Sequence, residues 1–167
     1  GQKVLLIDMD MRKGYTHKLF NLNNDNGLSD ILSGRTEIQN AIKNVSVAGI
    51  DYISRGISPP NPAELLMHHR LGGLIDWASQ NYDIVILDTP PILAVTDAAI
   101  IGHYAGTTLL IARFEENTVK EIEVSFKRFE QSGVIVKGCI LNGVVRKASS
   151  YYGYGYNHYG YSYTDDK

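Results

Sequence analysis

A chain of 167 residues, 44% hydrophobic and 20% charged, has the size and composition of one globular domain with a sizeable core. A net charge of -2 without any block of lysine and arginine excludes the electrostatic footprint of a nucleic-acid binder, whose affinity rests on neutralising phosphates. No run approaches the ~18 apolar residues of a membrane span, no signal peptide opens the chain, and one cysteine cannot form an internal disulfide. A soluble unit of a reducing, cytoplasmic compartment is expected.

The first element is a strand from Lys3 to Asp10. Its apolar run Val4-Leu5-Leu6-Ile7 suits burial on both faces, as in a parallel sheet, and it ends in Asp8 and Asp10 before Met11-Arg12-Lys13-Gly14. A core strand so near the start leads us to expect the downstream part of a longer protein. Tyr15 to Asn26 is polar and turn-rich, Gly27 to Gly34 holds a short helical turn, and Glu37 to Lys43 predicts a second short helix. Ile50 to Ser54 reads as a strand ended by Arg55-Gly56. After the rigid Ser58-Pro59-Pro60 loop, Asn61 and Pro62 supply N-cap and N1 of a helix whose stripe of Leu66, Leu71, Leu74, Ile75 and Ala78 faces a core. His68 and His69 on that helix are neighbours expected to point different ways, which argues against a metal site.

Asp83 to Asp88 repeats the opening pattern, an apolar strand ending in an acid, followed by Thr89-Pro90-Pro91. Asp97 to Tyr104 predicts a short helix and Thr107 to Ala112 a third buried strand. Thr118 to Ser132 predicts an amphipathic helix with Val119, Ile122, Phe126 and Phe129 on one face, closed by Gly133. Val134 to Asn142 is the last strand, and Cys139 within it reads as a small buried core residue. Strands alternating with helices predict an α/β fold, a parallel sheet with helices on both faces, over residues 1–147. Residues 148–167 differ in kind: seven tyrosines at 151, 152, 154, 156, 159, 161 and 163 are spaced by glycine and polar residues. Such a segment cannot bury enough surface to offset its ordering entropy, so a flexible tail is expected.

Open α/β sheets place ligands at the carboxyl edge of their strands. Two strand-end acids there, Asp10 (or Asp8) and Asp88, are what a phosphate-handling enzyme needs beside magnesium, which takes one or two carboxylates plus waters and phosphate oxygens. Alone, Asp88 would read equally as an acid capping the next loop. The apolar run, Asp88 and Thr89-Pro90-Pro91 together form a Walker B signature.

Val4 to Gly14 resembles the Walker A′ motif of the bacterial tyrosine kinases, and Ile86 to Pro91 their Walker B. Pro60 to Leu66, Pro91 to Ala98 and the tyrosine-rich end also match that family, most nearly the Wzc-like inner-membrane kinases of capsule and exopolysaccharide export. The resemblance implies a P-loop NTPase-like fold of the MinD and ParA type that binds ATP and Mg²⁺. It makes Asp10 the acid near magnesium and the incoming hydroxyl, Asp8 its companion, and Asp88 the Walker B magnesium acid. Asn142 matches a position facing the adenine, and Arg12 and Lys13 are placed to touch phosphates or a neighbouring subunit. Tyr15 stands where family members carry a regulatory tyrosine, with Arg55 its receiver once phosphorylated; a phosphotyrosine dianion pairs well with a guanidinium.

The resemblance further implies phosphorylation of Tyr151, Tyr152, Tyr154, Tyr156, Tyr159, Tyr161 and Tyr163, and a ring-like homo-oligomer released by it. It also implies a cognate tyrosine phosphatase, the polysaccharide export machinery, and a membrane attachment lying outside this sequence, the chain being a cytoplasmic domain of an inner-membrane protein. The family's Walker A loop, Gly-x-x-x-x-Gly-Lys-Ser/Thr, is absent from residues 1–167. A backbone-amide nest and its lysine supply most of a phosphate grip, so this polypeptide by itself is expected to be inactive. Two other readings stay open: a MinD- or ParA-type ATPase switch, for which seven clustered tyrosines have no use, and a catalytically silent scaffold phosphorylated by a partner.

Overall fold

Val4–Asp8 forms β1, with Leu5 and Ile7 fully buried and Val4 and Leu6 on the opposite, half-open face. The chain passes through α1 (Thr16–Leu19), α2 (Leu28–Leu32) and α3 (Ile38–Ala41) to β2 (Ile42–Val45) and β3 (Ile50–Ile53). Next come α4 (Pro62–Leu66), α5 (Arg70–Asn81), β4 (Ile84–Asp88), α6 (Asp97–Gly102), β5 (Thr108–Arg113), α7 (Val119–Gln131) and β6 (Val136–Asn142). The computed structural model describes residues 1–46 and 48–145. The expected tyrosine-rich tail, and with it the division at residue 148, lies outside the described residues.

Among the described residues the strands form two sheets, one in the order β2-β3-β1-β4 and the other the pair β5-β6. β3 and β4 both run parallel to β1, and β5 parallel to β6. The α/β expectation holds, but the sheet is mixed: β2 lies antiparallel to β3. Sequence reading placed a helix across Glu37 to Lys43, where the helix is only Ile38–Ala41 and the chain turns straight into β2. The expected single helix after Asn61 is also two, broken at Met67 to His69. Because His68 and His69 sit at that break, their rings do not point different ways; they lie 4.2 Å apart, and His68 Nδ1 accepts the Arg70 N–H at 3.3 Å.

The main core gathers Leu5, Ile7, Met9 and Met11 against α2, α4 and α5, where Leu28, Leu66, Leu71 and Leu74 have almost no exposed surface. At the end of α5 the Tyr82 hydroxyl donates to Asp51 Oδ2 at 2.8 Å while its ring packs edge-on against Trp77. Tyr82→Phe is expected to cost about 1 kcal/mol, the net value of one hydrogen bond. An unchanged denaturant midpoint would show that this link from α5 to β3 adds no stability.

A second, smaller core lies where α7 lays Phe129 with Ile92, Ala98, Ala99 and Val134 over one face of β5-β6. Thr118 caps α7 by accepting the Glu121 N–H at 3.2 Å and donating its own N–H to Glu121 Oε2 at 2.7 Å. Val119, expected on the inner face, is exposed, whereas Phe129 is buried. The other face of β5-β6 is open: Leu109 and Ile111 are 51% and 57% exposed. The expected burial of this strand is therefore met on one face only, because helices among the described residues cover only that face; Cys139 on β6, expected to be buried, is exposed although its register partner Leu110 packs on the covered side. Ile84 and Ile86 of β4 are likewise exposed. A groove of about 310 Å³ runs between Leu87 to Pro91 on one side and Leu109 to Ala112 on the other. Among the described residues no helix is long and apolar enough to cross a membrane.

Candidate active site

The strand pairing brings the two acidic strand ends together. In the β1-β4 register Asp8 lies directly beside Asp88, and the Met9 N–H donates to the Asp88 carbonyl at 2.8 Å. Asp8 is fully buried. Its Oδ1 accepts the Asp10 N–H at 3.2 Å, and the Tyr52 hydroxyl stands 3.5 Å from its Oδ2. Burial first, then the charge of Asp88, pushes the Asp8 carboxyl up to about 6. Burial also raises Asp88, with Asp10 adding to it, while the Thr16 hydroxyl, 3.3 Å from Asp88 Oδ2, works the other way.

Asp10 sits past the end of β1 in a tight turn. Its Oδ1 accepts the N–H groups of Arg12 at 3.0 Å and Lys13 at 2.9 Å, and its carbonyl accepts the Gly14 N–H at 2.8 Å. Gly14 closes this turn onto Asp8: a Cβ there would stand 2.3 Å from Asp8 Oδ1 and 2.5 Å from the Asp10 carbonyl oxygen. No side chain larger than hydrogen fits at that point.

The other expected site residues are placed as follows. Arg12 does not reach into the groove; its guanidinium forks onto Asp97, Nε to Oδ2 at 2.9 Å and Nη2 to Oδ1 at 3.1 Å. Lys13 is exposed. Asn142 ends β6 in the second sheet, and its Oδ1 accepts the Gly143 N–H at 2.8 Å. Tyr15 is 59% exposed immediately before α1. Arg55 lies half-buried, its Nη1 donating to Ser58 Oγ at 3.0 Å and, at 3.4 Å, to the Met11 carbonyl, while its Nε is buried with no partner among the described residues. The seven tail tyrosines fall outside the described residues.

Sequence reading missed four participants. Tyr52 is fully buried, with burial and Asp8 holding its phenol well above the ordinary value; it also takes a backbone hydrogen bond from His17. Thr16 touches Asp88, and His17, nearly buried, is held below its ordinary range by burial and then by Arg55. Asp97 is the partner of Arg12. Only Asp97 carried a signal, since it lies in the Pro91 to Ala98 run already singled out. A second hollow of about 420 Å³, lined by Asn21, Asp25, Asn40 and Lys43 among others, contains none of Asp8, Asp10 and Asp88.

The donor set fits a magnesium ion. Asp10 and Asp88 each keep a carboxylate oxygen with no hydrogen bond among the described residues, and two such carboxylates with waters and phosphate oxygens suffice for Mg²⁺. No group of three or more His, Cys, Asp or Glu that could hold a metal occurs among the described residues.

The sequence profile of a family described as AAA domain matches residues 1–121. The chain is 58% identical over 165 residues to the tyrosine-protein kinase Wzc of Salmonella typhimurium, covering 99% of this chain and 23% of that protein. The chain belongs to the family described as AAA domain. The solved kinase domain of the Escherichia coli tyrosine kinase ETK superposes with a TM-score of 0.87 at 54% identity, over 94% of this chain and 62% of that one. The septum site-determining protein MinD of Pyrococcus horikoshii shares the fold, with a TM-score of 0.65 at 20% identity over 84% of this chain and 58% of that one. The chain thus spans about a quarter of the length of the curated Wzc that it matches.

Proposed function

We propose that this chain is the acid-bearing part of a protein-tyrosine autokinase, which moves the γ-phosphoryl group of ATP onto the clustered tyrosines at 151 to 163. The observation that carries the reading is the juxtaposition of Asp8 and Asp88 in one register, with Asp10 held beside them in a turn that leaves one oxygen free. Asp10 and Asp88 would hold magnesium, which when bound neutralises charge on the phosphate oxygens. Asp10 takes the proton of the incoming phenol, whose ordinary pKa near ~10 leaves it a poor nucleophile at neutral pH. As the phenol oxygen bonds to the γ-phosphorus, the bond to the bridging oxygen breaks and ADP leaves.

The grip on the phosphates comes from a segment outside residues 1–167, since no Walker A loop occurs within them. The apolar groove between β4 and β5, and the exposed Ile86, Leu109 and Ile111 nearby, support a further strand of the same protein lying there. Residues 1–167 by themselves are expected to show no autophosphorylation. Arg12 and Asn142 are read as nucleotide-facing positions by resemblance, although Arg12 is engaged by Asp97 here. Tyr15 and Arg55 form the regulatory pair, and the buried, unpartnered Arg55 Nε leaves donor capacity for a phosphate.

The whole protein acts from the cytoplasmic side of a bacterial inner membrane, with membrane attachment outside this chain. It works with the capsule and exopolysaccharide export machinery, opposed by a tyrosine phosphatase. Unmodified tails reach neighbouring sites in a ring, and each phosphate adds nearly two negative charges that release it. The test is full-length protein with labelled ATP and mass-spectrometric mapping. Label on the tail is expected; ADP without label would mean an ATPase switch, and neither a silent scaffold. Changing all seven tail tyrosines to phenylalanine is expected to lock the oligomer size against ATP, and a size that still responds to ATP would remove the release mechanism.

A further inference from the structure

The sharpest side-chain contact near the acids belongs to two residues that touch neither strand end. Arg12 leaves the Asp10 to Lys13 turn and forks onto Asp97, 85 residues away in the chain, through bonds of 2.9 and 3.1 Å. Asp97 is 1% exposed and heads α6, whose Ala98, Ala99 and Ile101 are buried, so its carboxylate cannot wander. Both oxygens of Asp97 accept from one guanidinium, the planar two-point geometry that lysine cannot copy.

The inner side of the turn is fixed without Arg12: the Met11 carbonyl accepts from Ser58 Oγ at 2.7 Å, the Met11 N–H donates to the Met9 carbonyl at 3.0 Å, and the Gly14 N–H donates to the Asp10 carbonyl at 2.8 Å, which leaves the outer side to the clamp. Met11 is fully buried, but Arg12 and Lys13 are solvent-facing, and it is their N–H groups that hold Asp10 Oδ1. Where Arg12 is anchored, its own N–H and that of Lys13 are anchored with it. The orientation of the Asp10 carboxylate therefore depends on a clamp some residues away.

We propose that Asp97 is a positioning residue for Asp10, acting through Arg12 to fix which oxygen of Asp10 faces the acceptor hydroxyl. The inference rests on the reading of Asp10 as the base. It assigns Arg12 to holding the turn instead of to binding phosphate, and it makes the start of α6 part of the catalytic apparatus without contact with substrate. Small displacements of a catalytic group are expensive: an error of about 1 Å can cost about 100-fold in rate.

The test uses the full-length protein with Asp97→Asn, which keeps the volume and loses the charge, and Arg12→Lys, which keeps the charge and loses the fork. Without nucleotide, amide exchange of residues 10 to 14 is expected to quicken about tenfold or more in both variants while the β1 and β4 amides stay protected. With ATP, kcat is expected to fall about 10- to 100-fold with KM for ATP within about twofold. The double variant should be no slower than the worse single one, as for two groups acting as a unit.

Unchanged exchange in that segment would overturn the proposal, as would exchange that quickens with kcat intact. So would a loss falling wholly on KM, which would return Arg12 to the phosphates. If Asp97→Asn fails to fold, Arg12→Lys carries the test alone. The exchange result does not depend on what Asp10 does, so failure of the base assignment is read separately, from Asp10→Asn.

Discussion

Asp10→Asn is expected to lower the rate of tyrosine phosphorylation by about 10²- to 10⁴-fold, the range for removing a general base, with little effect on folding. The substitution is conservative where structure is concerned: an asparagine oxygen still accepts from the Arg12 and Lys13 N–H groups, now at 3.0 and 2.9 Å, so the turn persists. What is lost is the second, unbonded oxygen as proton acceptor and as a ligand of charge. Base and ligand roles separate by titrating the metal: a lost ligand is partly recovered at high Mg²⁺ or with Mn²⁺, a lost base is not. Activity within about threefold of the parent would remove Asp10 from the reaction altogether. The same measurement on Asp88→Asn is a useful contrast, because Asp88 already accepts from Thr16 and stands beside a buried Asp8.

The chemistry of this site was legible in the sequence to the extent that it is local. An apolar run ending in an acid predicts a strand buried among others with its acid at the ligand-binding edge; β1 and β4 both end in their acids side by side, but only β1 has buried residues, since β4 is the last strand of its sheet and Ile84 and Ile86 are exposed. β2 was not legible, because Ile42-Lys43-Asn44-Val45 is short, half polar and follows a helical turn without a glycine or proline between them. Neither was the break between α4 and α5, for the same lack of punctuation. Leu109 and Ile111 sit in an apolar run that promises burial, yet burial is decided by what covers a face, and among the described residues nothing covers theirs. The Arg12 to Asp97 clamp and the Tyr52 to Asp8 contact join residues 85 and 44 positions apart, and no periodicity announces a pair at such distances.

Asp8→Asn is expected to make the metal-free kinase domain more stable at neutral pH, by about 2 to 3 kcal/mol, although it removes a residue at the centre of the site. The cause is the raised carboxyl. Folded, Asp8 holds its proton up to a pH of about 6, against 3.8 for the unfolded group, because burial and then Asp88 disfavour its charge. Between those values the native state binds more protons than the unfolded one, so stability falls as pH rises through the window and stays low above it. Below about pH 4 the carboxyl is neutral in both states, and variant and parent should coincide. An amide at this position accepts the Asp10 N–H as before and offers its own N–H to the Tyr52 oxygen, although the Tyr52 O–H then loses the acceptor it has in Asp8 Oδ2, which takes back part of the gain. Denaturant midpoints from pH 4 to 8, with chelator present, measure the effect; a variant less stable than the parent at pH 7 would show that the hydrogen bonds to the ionised carboxylate outweigh its desolvation. An ionised Asp8 beside Asp88 sets a buried charge against a like charge on a solvent-exposed neighbour, an arrangement that a cation relieves, and added Mg²⁺ should raise the midpoint of the parent at pH 7 more than that of the variant.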